Sequence, residues 1–379
     1  MAASSSGPGR QPRKVETGVS YFSSRDLRHV RADLEEMRAQ GCTYVVHCFT
    51  ETDLLYHREA MAVVLKATRE AGLEAWLDPW AVAGIFGGES LSRFLVDHPE
   101  ALQVLSDGRR APAACPNHPE TRRFLLEWVA AGAEAGGQVA FWDEPHYYIP
   151  MWRGDRSGAW ACRCEHCQER FREATGGGLP ERMDDEVRAF RERWLVELLS
   201  EAAAEAKRLG MRNALCLFPT NFEALGMTEL AQRIETRWSS RVTEAGTFVD
   251  EQPWRSVGVR DWEAAAAIPD LDIFGCDPYW LLFRAEPEAF VRPFTRRSVE
   301  LARKHGLDVQ IWVQAFAVPE GREEELAAGL KAAAEEGATH VAAWSFRATE
   351  TMSIRCARPE LVWRVIGESF RELRAIDAG

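Results

Sequence analysis

Residues 44–77 read YVVHCFTETDLLYHREAMAVVLKATREAGLEAWL and contain one complete strand–helix–strand unit. The run Tyr44–Phe49 is nearly continuous in apolar residues, which is typical of a parallel strand covered on both faces. Tyr56–Ala71 follows with apolar residues at helical spacing, and Gly72 supplies the left-handed residue that closes such a helix. Glu74–Leu77 then begins the next strand. This stretch predicts an α/β fold with parallel strands.

The same alternation recurs along the whole chain, at about 47 residues per unit. Eight runs predict strands: Thr17–Tyr21, Tyr44–Phe49, Glu74–Leu77, Val139–Trp142, Ala214–Phe218, Leu271–Gly275, Val309–Val313 and His340–Trp344. Long helical patterns alternate with them: Ser24–Gln40, Tyr56–Ala71, Pro119–Ala135, Asp184–Leu209, Pro287–His305, Glu320–Glu336 and Pro359–Ala375. Eight such units predict a (β/α)8 TIM barrel that occupies residues 15–379 as one domain, behind a disordered tail of residues 1–14.

A doubly wound, nucleotide-binding sheet is the alternative α/β architecture. It needs a Gly-rich turn between its first strand and the following helix. The Gly-rich runs of this chain, residues 84–88 and 176–178, do not stand directly between a strand and its helix. They also match neither the dinucleotide nor the P-loop spacing. The barrel is therefore favoured.

Composition and charge argue against several kinds of partner. The net charge is −12, and Arg and Lys are dispersed among Glu and Asp along the helices, so we expect no nucleic-acid partner. No apolar run reaches the ~18 residues of a membrane span, and no apolar signal segment follows the polar N-terminus. A cytoplasmic protein with no membrane partner is expected, and a homo-oligomer remains open. The chain has 14 Trp against 6 Tyr, which indicates either core packing or a surface for flat ligands such as sugar rings.

Barrel enzymes carry their chemistry at the carboxyl ends of the strands, and that rule selects the candidate substrate-binding residues. They are polar or aromatic side chains on, or just after, the predicted strands: His47, Asp78, Trp80, Asn221, Trp280, Gln314, Trp344 and Glu350. For His47, Asn221 and Gln314, a buried side chain with satisfied hydrogen bonds is nearly as good an interpretation. Some of the Trp residues must likewise belong to the core.

The clearest chemical signal is FWDEP, residues 141–145, at the end of the fourth predicted strand. Burying a carboxylate at the end of an apolar barrel strand costs free energy, so such a residue usually has a catalytic or binding role. Alternatively, Asp143 and Glu144 could cap the next segment or pair with an Arg. The motif resembles the acid/base motif of the large barrel clan of glycoside hydrolases, which reads Asn-Glu-Pro in many members. The resemblance implies that Glu144 is the general acid, and Asp143 stands in place of the Asn as a further catalytic candidate.

The second carboxylate of that clan is missing from its usual place. Retaining members have a nucleophilic Glu at the end of strand seven, where this chain has Gln314, and an amide cannot form the glycosyl ester. Asp277, at the end of the sixth strand, is the preferred replacement, ahead of Asp78 and Glu350; its alternative role is a turn-forming Asp before Pro278. A carboxyl separation of ~5 Å would make Asp277 a nucleophile, and ~6.5–9.5 Å would make it a base.

Four cysteines form the second signal. Cys162, Cys164 and Cys167 are closely spaced, and Cys115 lies in an earlier loop, so their thiolates could converge on one tetrahedral ion. Unrelated thiols are the alternative. The arrangement resembles the four-cysteine zinc cluster of some family 42 β-galactosidases. That resemblance implies a structural Zn²⁺ that pins the long loop after strand four.

Together these features predict an O-glycoside hydrolase that acts on a carbohydrate by carboxylate acid/base catalysis. The alternative from another class is a non-catalytic carbohydrate-binding barrel, in which Gln314 marks a lost nucleophile.

Overall fold

The computed structural model describes residues 14–375 except 23, 156, 221, 223–224, 231 and 234–256. The predicted tail therefore lies, apart from Lys14, outside the described residues. The strands are β1 (Glu16–Tyr21), β2 (Tyr44–Cys48), β3 (Glu74–Asp78), β4 (Leu102–Val104), β5 (Arg110–Ala114), β6 (Val139–Asp143), β7 (Arg212–Leu217), β8 (Ile273–Cys276), β9 (Asp308–Gln314) and β10 (His340–Trp344). The helices are α1 (Leu27–Ala39), α2 (Glu51–Tyr56), α3 (Arg58–Glu70), α4 (Phe94–Asp97), α5 (Pro119–Glu134), α6 (Glu165–Thr175), α7 (Asp185–Arg208), α8 (Trp262–Ala266), α9 (Trp280–Phe283), α10 (Pro287–His305), α11 (Glu325–Glu335) and α12 (Pro359–Ala375).

Eight of the strands form a closed parallel barrel in the order β1-β10-β9-β8-β7-β6-β3-β2. β1 closes it by pairing with β10 on one side and β2 on the other. The helices pack around the outside, so the predicted (β/α)8 fold class is confirmed. All eight strands run in the same direction, and their carboxyl ends therefore meet at one end of the barrel.

Large aromatic side chains fill the barrel interior. The rings of Tyr44 and Trp76 stack with their centroids 4.4 Å apart, and Phe141 contacts Trp312 at 5.3 Å. Gly18 of β1 lies against the Tyr44 ring, where a Cβ atom would come within 2.3 Å of it. Some of the Trp side chains, such as those of Trp76 and Trp312, therefore pack inside the barrel.

The helices differ from their predicted bounds mainly at their ends. α1 begins at Leu27 because the Asp26 side chain caps it by accepting a hydrogen bond from the backbone N–H of Arg28. The predicted helix Tyr56–Ala71 instead begins as α3 at Arg58, since His57 interrupts the helical backbone after α2. Within the described part of the chain, no helix is both long and apolar enough to cross a membrane.

The antiparallel hairpin β4–β5 was not predicted. Its strands are three and five residues long, and Pro112 interrupts the second one, so neither carries the apolar run of a barrel strand. The hairpin lies between β3 and β6 along the chain. Residues 160–163 extend it, through a bridge between Leu105 and Ala161 and a bond from the Arg163 N–H to the Val104 carbonyl.

Candidate active site

A pocket of about 270 Å³ opens at the carboxyl ends of the barrel strands. Its walls combine carboxylates with aromatic and apolar side chains: Trp80, Gly88, Glu89, Asp143, Glu144, Phe218, Pro219, Asp277, Tyr279, Leu282, Phe283, Phe316, Trp344 and Ile354. Among the described residues no Lys, Arg or His lines it. The pocket is therefore lined by both acidic and aromatic side chains.

Two consecutive carboxylates, Asp143 and Glu144, both reach this pocket from the end of β6. In a regular strand successive side chains point to opposite faces. Here Glu144 adopts a left-handed backbone with φ of 42°, which is unfavourable for a residue with a side chain and is typical of functional positions. Its backbone N–H donates to the carbonyl of Cys216 in β7 at 3.0 Å, which holds the turn in place.

Two glycines make room for these side chains. A Cβ at Gly87 would lie 2.3 Å from Oδ2 of Asp143 and 3.0 Å from Oε2 of Glu144. A Cβ at Gly88 would lie 1.2 Å from the Trp80 ring. Both glycines belong to the Gly-rich run that the sequence analysis tested only as a nucleotide loop. This Gly-rich run stands directly before Glu89, and that position is the feature of the sequence that could have indicated the site.

Glu144 and Asp277 hydrogen-bond to each other through their side chains across the pocket. Burial raises the pKa of Glu144 well above its ordinary value, and the negative charge of Asp277 and the shared hydrogen bond raise it further. Burial also raises the pKa of Asp277, to about 8, although the bond to Glu144 opposes this. Both carboxyls of this pair therefore hold their protons more tightly than free carboxyls do.

Further carboxylates surround this pair. Burial raises the pKa of Asp143, and the nearby charges of Asp78 and Glu144 add to that effect. Asp78 is 3% exposed; one of its oxygens accepts a bond from the Cys48 thiol at 3.6 Å, and the other has no hydrogen-bond partner. Glu89 was not predicted, and its pKa is also raised by burial. The site thus concentrates acidic groups that hold protons more tightly than free carboxyls do.

Aromatic rings form another part of the pocket wall. The structure places both Trp80 and Trp344 in the pocket, with their ring centroids 6.2 Å apart and nearly perpendicular. Phe22 packs against both rings, and Phe316 contacts Trp344 at 5.3 Å. Phe22, Tyr279 and Phe316 were not among the predicted substrate-binding residues, although each follows the end of a barrel strand.

Five predicted substrate-binding residues do not line the pocket, and the side chains of three of them have partners elsewhere. His47 lies on the outward face of β2, where its Nε2 is 2.9 Å from the Thr68 hydroxyl, and burial lowers its pKa to about 3. Trp280 is fully buried and donates from its indole N–H to Glu325 at 2.7 Å. Glu350 is exposed and pairs with Arg347 at 3.3 Å.

Three predicted substrate-binding residues remain: Gln314, Asp78 and Asn221. Gln314 is buried and donates through Nε2 to the carbonyl of Phe316 at 3.0 Å, while its Oε1 has no partner. Neither Gln314 nor Asp78 is part of the pocket wall. Asn221 lies outside the described residues. Of the eight predicted contacts, the two Trp rings are those that the described structure brings into the pocket.

The four predicted cysteines converge beside the β4–β5 hairpin. Cys115 follows β5, and Cys162, Cys164 and Cys167 stand at the start of α6. All four are buried, and their sulfur atoms lie within 4.8 Å of one another, close enough to bind one metal ion. Backbone N–H groups of Val104, Asn117 and Cys164 point at these sulfurs, at 3.4–3.5 Å. Such N–H donors stabilise thiolates, which are the form that binds a metal.

Structure comparisons support the same fold class. The catalytic domain of a β-amylase from Paenibacillus polymyxa superimposes with a TM-score of 0.62 at 12% identity, covering 89% of this chain and 94% of that one. A β-galactosidase from Bacillus circulans sp. alkalophilus superimposes with a TM-score of 0.68 at 14% identity. The match covers 97% of this chain but only 56% of the β-galactosidase chain. The PgaB (BpsB) glycoside hydrolase domain from Bordetella bronchiseptica gives 0.56 at 12% identity, covering 94% and 99%. No family model and no curated protein matches the sequence. At these identities the likeness shows a shared barrel fold.

Proposed function

We propose that the protein is a glycoside hydrolase, with Glu144 as general acid and Asp277 as its partner carboxylate. The observation that carries the proposal is the buried, hydrogen-bonded pair of these two side chains in a pocket walled by Trp80 and Trp344. Paired carboxyls beside aromatic plates suit a sugar ring whose glycosidic oxygen must be protonated. The fold shared with a β-amylase and a β-galactosidase supports the same reaction class.

The raised pKa of Glu144 suits the role of general acid. An acid catalyst must still hold its proton when the substrate arrives, and burial makes the Glu144 carboxyl hold its proton more tightly than a free carboxyl does. The pocket, at about 270 Å³, is slightly smaller than the usual ligand-site range of about 300–1,000 Å³. It therefore suits one sugar ring better than several, with the scissile bond next to Glu144.

The closeness of the two carboxyls favours Asp277 as a nucleophile in its ionised form, which a pKa of about 8 makes the minor form at neutral pH in the empty pocket. A retaining site separates them by ~5–5.5 Å and an inverting site by ~6.5–9.5 Å, to admit a water. The Glu144 and Asp277 carboxyls start in contact. When a sugar enters between them, they therefore need to move apart less to reach the retaining separation than to reach the inverting one. We therefore expect the first-formed product to keep the anomeric configuration of the substrate, as proton NMR during early turnover would reveal. An inverted first product would remove Asp277 from the nucleophile role.

The test of Glu144 is the variant Glu144→Gln, which keeps the shape of the side chain and removes its acidic proton. Turnover of unactivated oligosaccharides should fall by about 10²–10⁴-fold, and turnover of aryl glycosides with good leaving groups should fall much less. Glu372→Gln, an exposed change on α12, is the matched control and should leave both rates intact. Equal turnover by Glu144→Gln and the native protein on an unactivated substrate would refute the assignment.

One observation favours a different class of function. Gln314 stands at the end of β9, where the glycosidases that this sequence resembles carry their nucleophilic Glu. A barrel that had lost its nucleophile would bind carbohydrate without cleaving it. Calorimetric titration that detects oligosaccharide binding, with no reducing ends released over days, would support this alternative.

We also propose that Cys115, Cys162, Cys164 and Cys167 hold a structural Zn²⁺. Four buried thiols are the ligand set that structural zinc prefers, and they leave no open position for a substrate. The ion would supply a cross-link between the β4–β5 hairpin and the start of α6, and no catalytic step. Elemental analysis should find about one equivalent of zinc per chain; less than half an equivalent in untreated protein would refute the assignment.

A further inference from the structure

An exposed tryptophan stands just outside the pocket. Among the described residues, Trp152 is the Trp that the fold leaves exposed, with 48% of its surface accessible, whereas Trp80 and Trp344 are partly covered in the pocket wall. An exposed Trp ring leaves apolar surface in water, and a flat ligand that covers the ring removes this surface from water. Trp152 takes no part in the reaction proposed above, so its exposed ring is available for a further contact.

Two contacts place Trp152 at the mouth of the pocket. Its ring centroid lies 5.2 Å from that of Phe218, a side chain of the pocket wall. The next residue, Arg153, lies near Glu89 of the same wall, where its positive charge opposes the rise in pKa that burial causes. The apolar surface of the pocket therefore continues outward across Phe218 to Trp152.

The turn that carries this ring is also joined to the proposed general acid. The Trp152 ring contacts the His146 ring at 5.4 Å, and Nδ1 of His146 lies 2.6 Å from the backbone carbonyl oxygen of Glu144. Within the turn, Pro150–Arg153, the backbone N–H of Trp152 donates to the carbonyl of Ile149 at 3.1 Å. The ring is therefore held in place before a ligand arrives, which lowers the cost of binding.

From these contacts we infer that Trp152 binds the second ring of the substrate, the ring that leaves with the glycosidic oxygen. The inference rests on the proposed glycosidase function and adds the substrate class, a saccharide of at least two rings. The pocket, at about 270 Å³, suits one ring, so the next ring must lie outside it, where Phe218 and Trp152 extend the wall.

The position of Trp152 after Glu144 favours the leaving ring over a ring on the other side. The general acid protonates the oxygen that the leaving ring keeps, and Trp152 belongs to the segment that directly follows Glu144. When the bond from C1 to that oxygen breaks, the oxygen takes the proton of Glu144 and C1 passes to Asp277. The ring on Trp152 then departs as a neutral sugar.

Calorimetric titration compares the binding of one ring with the binding of two. Glu144→Gln serves as the parent protein, because it keeps the shape of the site and does not consume the ligands during the titration. The probes are glucose against cellobiose and maltose, galactose against β-1,4-galactobiose, and mannose against β-1,4-mannobiose. At least one disaccharide should bind about tenfold or more tightly than its monosaccharide, because a Trp plate that a ligand covers is typically among the strongest contacts of a binding site.

Variants of the same parent then locate the second ring. Trp152→Ala should remove the gain from the second ring and keep the affinity for the monosaccharide, whereas Trp152→Phe should retain part of the gain. Tyr56→Ala is the matched control, because Tyr56 is an exposed aromatic of α2, 66% accessible, that does not line the pocket; it should keep the gain.

Three results of the titrations would overturn the inference. They are the absence of a disaccharide gain in every pair, a gain that survives Trp152→Ala, and an equal loss of both affinities in Trp152→Ala. The last result would mean that Trp152 acts only by shaping the pocket through Phe218.

Hydrolysis identifies the ring that leaves. With Glu144 intact, Trp152→Ala should lower kcat/KM for the best disaccharide by about tenfold and leave it unchanged for the glycosyl fluoride of the same sugar, because fluoride carries no second ring. An unchanged disaccharide rate would overturn the assignment to the leaving ring. The proposed function is judged separately: if the native protein binds both rings and cleaves neither substrate, the proposed function fails, and Trp152-dependent binding of the disaccharide still stands.

Discussion

Replacing Asp277 with Asn should stabilise the protein while abolishing its activity. In the folded protein the pKa of Asp277 is about 8, against an ordinary value of 3.8. Between these two pH values the unfolded chain releases a proton that the folded state retains, so stability falls as the pH rises. Asn has nearly the same shape, accepts a hydrogen bond from Glu144 and does not titrate. The variant therefore does not lose this stability as the pH rises.

The size of the gain follows from the same pKa values. Each unit of pKa difference corresponds to about 1.36 kcal/mol, so the gain is on the order of 3 kcal/mol at pH 6 and about 6 kcal/mol above pH 8. Below the ordinary Asp pKa both states of the native protein are protonated, and the gain should vanish. The gain therefore grows as the pH rises from about 4 to about 8 and then levels off.

Urea unfolding of the native protein and Asp277→Asn across this pH range measures the difference. Asp97→Asn is the matched control, because Asp97 is 46% exposed and pairs with Arg93 on the surface. Such a pair is worth about 0–1 kcal/mol, so the control should change little at any pH. A gain that does not depend on pH, or a variant less stable than the native protein at pH 8, would refute the buried Glu144–Asp277 pair.

Two further predictions concern the glycine turn and the cysteine cluster. Gly87→Ala should lower kcat/KM by about 10²-fold, because the new methyl group displaces the Asp143 and Glu144 carboxyls that it meets. Gly177→Ala is its control, since the nearest atom there is 3.7 Å away; equal rates for the two variants would refute this packing argument. Cys162→Ser should lower both the bound zinc and the urea midpoint of unfolding, and an unchanged metal content would exclude Cys162 as a ligand.

The barrel was predictable because its signal is local and repeated. Each strand is a short apolar run, and each is followed by an amphipathic pattern that often ends at Gly. The hairpin β4–β5 lacked that signal, since its strands are short and one contains Pro112. Three of the four cysteines were predictable as a group because they are close together in the chain. Only the fold brings Cys115 next to them.

Side-chain direction separates the predicted site residues that line the pocket from those that do not. A strand end predicts that a residue is near the mouth of the barrel, but successive residues face opposite sides. His47 therefore points outward at Thr68, although the Cys48 thiol beside it reaches Asp78 near the pocket. Trp280 begins α9 and turns toward α11 instead of the mouth.

The sequence by itself determined the barrel, the strand ends that carry carboxylates and the grouping of three cysteines, because each depends on residues close together in the chain. The tertiary structure alone decided that Glu144 meets Asp277, and that Gly87 and Gly88 make room for Asp143 and Trp80. These contacts join residues from different strands and loops. Their geometry depends on barrel closure and on the left-handed backbone at Glu144, which no local pattern specifies.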